Sequence, residues 1–272
     1  MTIRQGNGAS TRPDGRAVAR EHETRVLRAL HRFGWLRTRD VAALVFTRWA
    51  SRPAAHPSLA PVVGSTSALR MAQRTLRRMR DSRLVLAALG PDGSTVYALA
   101  EGGTRVLQSM GIVAASGKDA VRGVSPGHFR HRCISNEVAI AGIVQGLRVS
   151  TEREISRGLW VGGDAGVAGK RPDVLWRSAD SWTWVEVQRS RYNVRDYAQL
   201  FAWLRALNAA ATGGAFQFGS GTLRQVVFIC NSAMEAKLRR DLAEKGLSSL
   251  LDTGLLVFER SLYSFETIRF AP

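Results

Sequence analysis

Two cysteines in 272 residues, Cys133 and Cys230, lie far apart and lack the paired spacing of a metal site. That leaves no basis for a disulfide framework or a thiolate zinc centre, and both read as buried thiols in a reducing compartment. The five histidines, His22, His31, His56, His128 and His131, show no zinc spacing with them either. His128 and His131, near a helix start, read as a cap or a phosphate contact rather than a catalytic pair. No apolar run reaches the roughly 18 residues a membrane span needs, and the opening MTIRQGNGASTRPDGRA has no apolar core for a signal peptide. A soluble, cytoplasmic protein is expected. Acidic residues are also scarce: 22 Asp+Glu face 39 Lys+Arg, mostly arginine, for a net charge of +17. Such an imbalance predicts a polyanionic partner, since a basic surface gains affinity by releasing counterions from a phosphate backbone.

Most of the excess charge lies in the first half of the chain. Residues 1–18, rich in Gly, Arg, Ser and Thr without periodicity, read as a disordered basic arm. From Ala19 a helical stripe of Val26, Leu27, Leu30 and Phe33 ends at Gly34, and RTRDVAALVF makes a second short helix. Three of the eight prolines fall in residues 47–64, a loop. A third helix follows the cap Ser65-Thr66-Ser67 and buries Leu69, Ala72, Leu76 and Met79. Arg70, Arg74 and Arg77 share an adjacent face, flanked by Arg78 and Arg80. A hairpin around Gly90-Pro91-Asp92-Gly93 and a closing helix complete residues 19–112. Three helices and then a hairpin is the order of a winged helix-turn-helix domain, whose third helix enters the major groove, so the arginines are expected to contact duplex DNA.

Residues 113–127 are Gly/Ser-rich and read as a linker. Residues 128–272 change to an α/β order: helix, three strands (RVSTEREI, RPDVLWRS, WTWVEVQRS), helix, strand, helix, final strands. Strand alternation puts Trp182, Trp184, Glu186 and Gln188 on one face, and a hairpin around Ala179-Asp180-Ser181 would bring Asp173 beside Glu186. Two convergent carboxylates and a backbone carbonyl suit Mg²⁺ (or Mn²⁺), which polarises a phosphate and activates water. GGDAGVAGKR echoes a phosphate-binding loop, but Asp164, Arg171 and Pro172 break the pattern, so nucleotide binding is not expected. Tyr192 and Tyr197 follow closely and read as half-buried helix residues more than as nucleophiles.

RPDV with WVEVQ resembles the restriction-endonuclease-like PD-(D/E)XK superfamily, a mixed sheet flanked by helices. More narrowly, RVLRALHRFGWLRTRDVAALVF, the segment STSALRMAQRTLRRMRDSRLVLAALGPDGSTVYALAEGG, HFRHRCISNEVAIA and the RPDV/WVEVQRS hairpin resemble the replication-relaxation family of plasmids and integrative elements, which includes MobC-type mobilisation relaxases. The resemblance implies a DNA-nicking enzyme of mobilisation or replication that uses Mg²⁺, or an inactive accessory protein of the same fold that binds origin DNA, together with other relaxosome or replication proteins. It implies Asp173 and Glu186 as metal ligands, and Glu137, Glu152 or Glu154 as a further acid. Gln188 then stands where a catalytic lysine is usual. Glutamine can orient water but brings no charge; Lys170, Arg171 and Arg189 are the nearby cations that could supply it.

Overall fold

The computed structural model describes residues 14–122, 125–188, 193–212 and 216–260. Helix α1 (Gly15–Phe33) begins where the Asp14 side chain accepts the Arg16 amide, four residues before the expected start, so only residues 1–13 of the expected arm fall outside the described residues. Gly34, at φ 83°, ends it and returns its N–H to Leu30 O. A three-residue strand, β1 (Trp35–Arg37), then leads into α2 (Thr38–Val45).

Helix α3 (Thr66–Asp81) is capped by Ser65, whose hydroxyl accepts the Ala68 amide. It buries Ala68, Ala72, Thr75, Leu76 and Met79, while Leu69 is only half-buried. Strands β2 (Val85–Leu89) and β3 (Thr95–Leu99) pair around the expected Gly90–Gly93 turn, and β1 adds to β3, giving an antiparallel sheet in the order β1-β3-β2. Helix α4 (Glu101–Ser109) closes this part.

Part of the expected linker is packed. Ala114 is buried, Gly117 N–H donates to Leu99 O, and α5 (Lys118–Val121) lies against β3. Helix α6 (Pro126–Val144) shows why no free tether is needed. It is buried nearly all round, and one apolar cluster runs from Val26 and Leu76 through Ile134 and Val138 to Val185 and Ile229. A helix buried on nearly every side must be covered on nearly every side, so α6 is the shared core of both halves.

Beyond α6 come β4 (Arg148–Ser150), α7 (Glu152–Ser156), β5 (Val174–Ser178), β6 (Ser181–Val187), α8 (Val194–Thr212), β7 (Gln217–Phe218), β8 (Gly221–Ile229), α9 (Ser232–Glu244), α10 (Ser249–Asp252) and β9 (Leu256–Glu259). Strand order is β4-β5-β6-β8-β7, with β9 also paired to β8; β4, β5 and β6 are antiparallel neighbours, whereas β6, β8 and β9 run parallel. One sheet face buries Val174, Trp176, Val185 and Val187 with α6, and the other buries Leu175, Trp182 and Trp184 under α8. Both faces are covered, as a mixed α/β sheet requires. Among the described residues no helix is long and apolar enough to cross a membrane.

One strand is shorter than expected. RVSTEREI stops extending at Ser150, because the Thr151 hydroxyl accepts the Glu154 amide and Glu154 accepts the Thr151 amide. This reciprocal cap starts α7, so Glu152 and Glu154 stand on a helical turn.

Candidate active site

The hairpin of β5 and β6 closes through Ala179-Asp180, and its register sets Val174 opposite Val185. Asp173, just ahead of β5, donates its N–H to Val185 O and accepts the Val187 N–H on Oδ2 at 2.7 Å. Its carboxylate is therefore held beside Glu186, as the pairing argument expects. Glu186 is only 4% exposed, and its Oε1 accepts from Trp184 Nε1 at 2.6 Å, which confirms the common face of alternate residues on β6.

A cation absent from β6 arrives from the loop before β5. Lys170 Nζ lies 2.7 Å from Glu186 Oε2 and 6.0 Å from the centre of the Trp203 ring, and Gln199 Nε2 steadies the loop through Gly169 O. From the opposite side, His131 on α6 places Nε2 3.1 Å from Asp173 Oδ1 and 3.7 Å from Glu152 Oε2, while Arg132 reaches Glu152 Oε1 at 3.2 Å. Six side chains from five segments thus form one half-buried network.

Its electrostatics are set by burial and opposite charge. Burial would lower the imidazole of His131, but the charge and hydrogen bond of Asp173, with Glu152, raise it to about 9. Lys170 is likewise raised against burial by Glu186 and Asp173. Asp173 is held below the usual carboxylate range, burial being overcome by His131, the Val187 amide and Lys170. Glu186 moves the other way, pushed up by burial and by the charge of Asp173 despite Lys170. Two neighbouring carboxyls forced apart in acidity are a mark of functional sites. Three carboxyls, of Asp173, Glu186 and Glu152, thus face three cationic side chains, Lys170, His131 and Arg132.

Not every expected residue joins them. Glu137 is turned away, because Arg37 and Arg39 hold its Oε1 at 2.7 and 2.6 Å; Arg37, itself 1% exposed, also grips Asp40 at 2.8 Å. A carboxylate engaged by two guanidiniums beside α2 is not a ligand for a site at Asp173. Glu154 is similarly taken by Arg32, at 2.7 and 3.2 Å. Arg171 is exposed and bonds Asp164 O; Arg189 and Tyr192 lie outside the described residues. The Gln188 N–H donates to Ile229 O, which places it just past the end of β6. The Tyr197 hydroxyl donates to Asp241 and accepts from Lys237, and its acidity is weakened by burial and Asp241, contrary to what a nucleophile needs. Sequence reasoning missed His131 as a member of the site. The signal was its place on the stripe it shares with Ile134 and Val138, the face that meets the sheet.

The donor chemistry fits a hard divalent ion. Among the described residues no three His, Cys, Asp or Glu side chains form a ready-made cage, but Mg²⁺ typically takes one or two carboxylates and completes its shell with water and phosphate oxygens. Asp173 and Glu186 are such a pair, and Glu152 Oε2 nearby is buried without a hydrogen-bond partner.

On α3, Arg70, Arg74 and Arg77 are exposed and form no ion pair among the described residues. Arg78 is instead drawn back to Glu23 on α1 at 2.6 Å, and Arg80 pairs with Asp81 at 3.2 Å. The free basic face therefore comprises Arg70, Arg74 and Arg77 rather than all five arginines. No protein-family model, curated protein or solved structure matches this chain.

Proposed function

We propose that the chain is a DNA-binding protein of the plasmid-mobilisation or replication type that nicks DNA at a PD-(D/E)XK-like centre in which Lys170 replaces the strand-end lysine. The observation that carries this reading is the Lys170 ammonium 2.7 Å from Glu186 and within electrostatic reach of Asp173. The missing charge at Gln188 is thereby supplied from the preceding loop. The order α6-β4-β5-β6-α8-β8 supports a restriction-endonuclease-like sheet, interrupted by the short α7. Likewise α1-β1-α2-α3-β2-β3, with sheet order β1-β3-β2, supports a winged helix that presents Arg70, Arg74 and Arg77 to the major groove.

Asp173 and Glu186 would hold the Mg²⁺ ion, which supplies Lewis-acid polarisation of the phosphate and acidification of water. Lys170 neutralises Glu186 in the resting protein and offers positive charge to a phosphoryl oxygen. Gln188 can orient water by hydrogen bonding. His131 fixes the Asp173 carboxylate and, protonated at neutral pH, reduces the anionic field that would repel DNA.

A second reading, an accessory protein that binds origin DNA without cutting it, is favoured by one observation. Every oxygen of Asp173 and Glu186 already accepts from a protein donor, so an ion must compete with His131 and Lys170 for their charge. The two are separated by incubating supercoiled plasmid with Mg²⁺ and either wild type or Asp173→Asn. Nicking abolished in the variant supports the enzyme; tight duplex binding with no nicking by wild type supports the accessory protein.

A further inference from the structure

At the junction of α1 and α7, positive charge outnumbers the acids that meet it. Arg153 is half-buried, its Nε is buried with no hydrogen-bond partner, and the charges that act on it are those of Arg157 and Arg132. Burial and those neighbours lower it to about 10. His31, in the last turn of α1, has a buried Nδ1 without a partner, and burial, Arg153 and Arg157 lower its pKa against the opposing charge of Glu154. The nearby carboxylates face other cations: Glu154 pairs with Arg32, and Glu152 Oε1 with Arg132. A Cβ placed on Gly34 would meet Arg153 Nη1 at 2.7 Å and Arg132 Nη2 at 3.3 Å, so two guanidiniums converge on the one residue there that has no side chain. Like charges gathered in a half-buried place with orphaned donors are costly unless an anion completes the set.

We propose that Arg153, Arg157 and His31 form a phosphate-binding site at the junction of α1 and α7. Three features select phosphate: guanidinium forks match its oxygens, Arg153 Nε and His31 Nδ1 are buried without a partner, and the two guanidiniums are cationic. The ligand it takes is a backbone phosphate of DNA. That source rests on the function proposed above, whereas the anion site itself does not. Arg153 directly follows Glu152, whose carboxylate contacts His131 and through it Asp173. A strand anchored here therefore runs past the candidate active site, flanking the bond to be cut.

The site is tested first without DNA. Thermal unfolding of the full chain is followed in inorganic phosphate and in chloride at matched ionic strength. Phosphate should raise Tm saturably, by roughly 5–10 °C at about a hundredfold excess over Kd. Arg153→Gln/Arg157→Gln should lose that shift, and its Tm in chloride should equal or exceed wild type because mutual repulsion is relieved. Arg157→Gln alone, on an exposed residue, should weaken the shift and serves if the double variant misfolds. No phosphate shift in wild type, or a shift retained in the variants, overturns the site. A duplex-binding titration then reads the source: the double variant should make the slope of log K against log salt less steep by about 0.9 for each DNA phosphate it no longer neutralises. An unchanged slope in a double variant that has also ceased to respond to phosphate overturns the DNA assignment. Wild type that shows the phosphate shift but binds no duplex overturns the function proposed above while upholding the anion site.

Discussion

Replacing Lys170 with methionine keeps all but the terminal atom of the chain's reach and removes its charge, which isolates the ammonium's contribution to the site. Glu186 then keeps one neutral donor, Trp184 Nε1, while the Asp173 charge still presses on it. Removing one partner of a buried ion pair costs about 3–5 kcal/mol, because the other charge stays behind uncompensated. At about 2–4 °C per kcal/mol for a chain of this size, Tm should fall by roughly 6–20 °C. The loss must depend on pH. A carboxyl whose folded acidity is weakened, as Glu186 already is, binds a proton more readily when folded than when unfolded. Its stability deficit is absent below the unfolded value of about 4.3 and grows as pH rises towards the folded one. Lys170→Met should therefore approach wild-type stability near pH 4.5 and diverge by pH 8. Lys170→Met/Glu186→Gln should recover most of the loss at pH 8. Denaturant unfolding across that range measures this directly. A deficit below about 1 kcal/mol, or one that ignores pH, would refute the claim that Lys170 neutralises Glu186.

Other consequences can be measured separately. His131, raised to about 9, contributes stability that is complete below its unfolded value near 6.5 and is lost as pH rises through 9; roughly 3 kcal/mol is at stake, and His131→Asn should flatten this part of the profile. Arg74→Gln/Arg77→Gln should weaken duplex binding by roughly 2–6 kcal/mol if both contact bases, as read by fluorescence anisotropy; unchanged affinity and salt dependence would remove α3 from the interface. Ala179 holds φ 50° in the two-residue hairpin turn, so Ala179→Gly should raise thermal stability by a few tenths to about 1 kcal/mol, a gain that would be absent if the turn were not left-handed there. Truncating Arg37, in its buried triad with Asp40 and Glu137, should cost about 3–5 kcal/mol, whereas Arg39→Ala, on an exposed partner, should cost about 1 or less.

The parts of the site that obey local rules were legible in the sequence. Alternation from Trp182 to Gln188 fixed the face of Glu186, and one hairpin turn fixed the register of Asp173. Contacts made over long sequence separations were not. Glu137 has helix spacing suited to an acid in the site, but its partners, Arg37 and Arg39, lie about a hundred residues upstream and only the packing of α6 on α2 unites them. Arg78 is withdrawn from the basic stripe by Glu23 for the same reason. Lys170 sits in a glycine-rich loop without periodicity, so its direction was set by the loop's bridge between Val167 and Lys170 and by the Gln199 contact, which sequence does not display. The misread α7 was different: Thr151 and Glu154 stand at capping-box spacing, a start signal outweighed by the extended look of the residues before it. The packing of Ala114 and Gly117 within the expected linker was not legible, because composition measures chain flexibility and not what a segment packs against.

The central claim is that Lys170 supplies from the loop the charge that Gln188 withholds from the strand. Nicking of supercoiled plasmid in Mg²⁺ by wild type, Lys170→Met and Lys170→Met/Gln188→Lys tests it most directly, with circular dichroism confirming that each variant is folded at the assay temperature. The account predicts cutting by wild type, loss in Lys170→Met, and at least partial recovery when the lysine is restored at position 188. Wild-type nicking undiminished in a folded Lys170→Met would contradict it, as would a wild-type protein that binds duplex and never cuts.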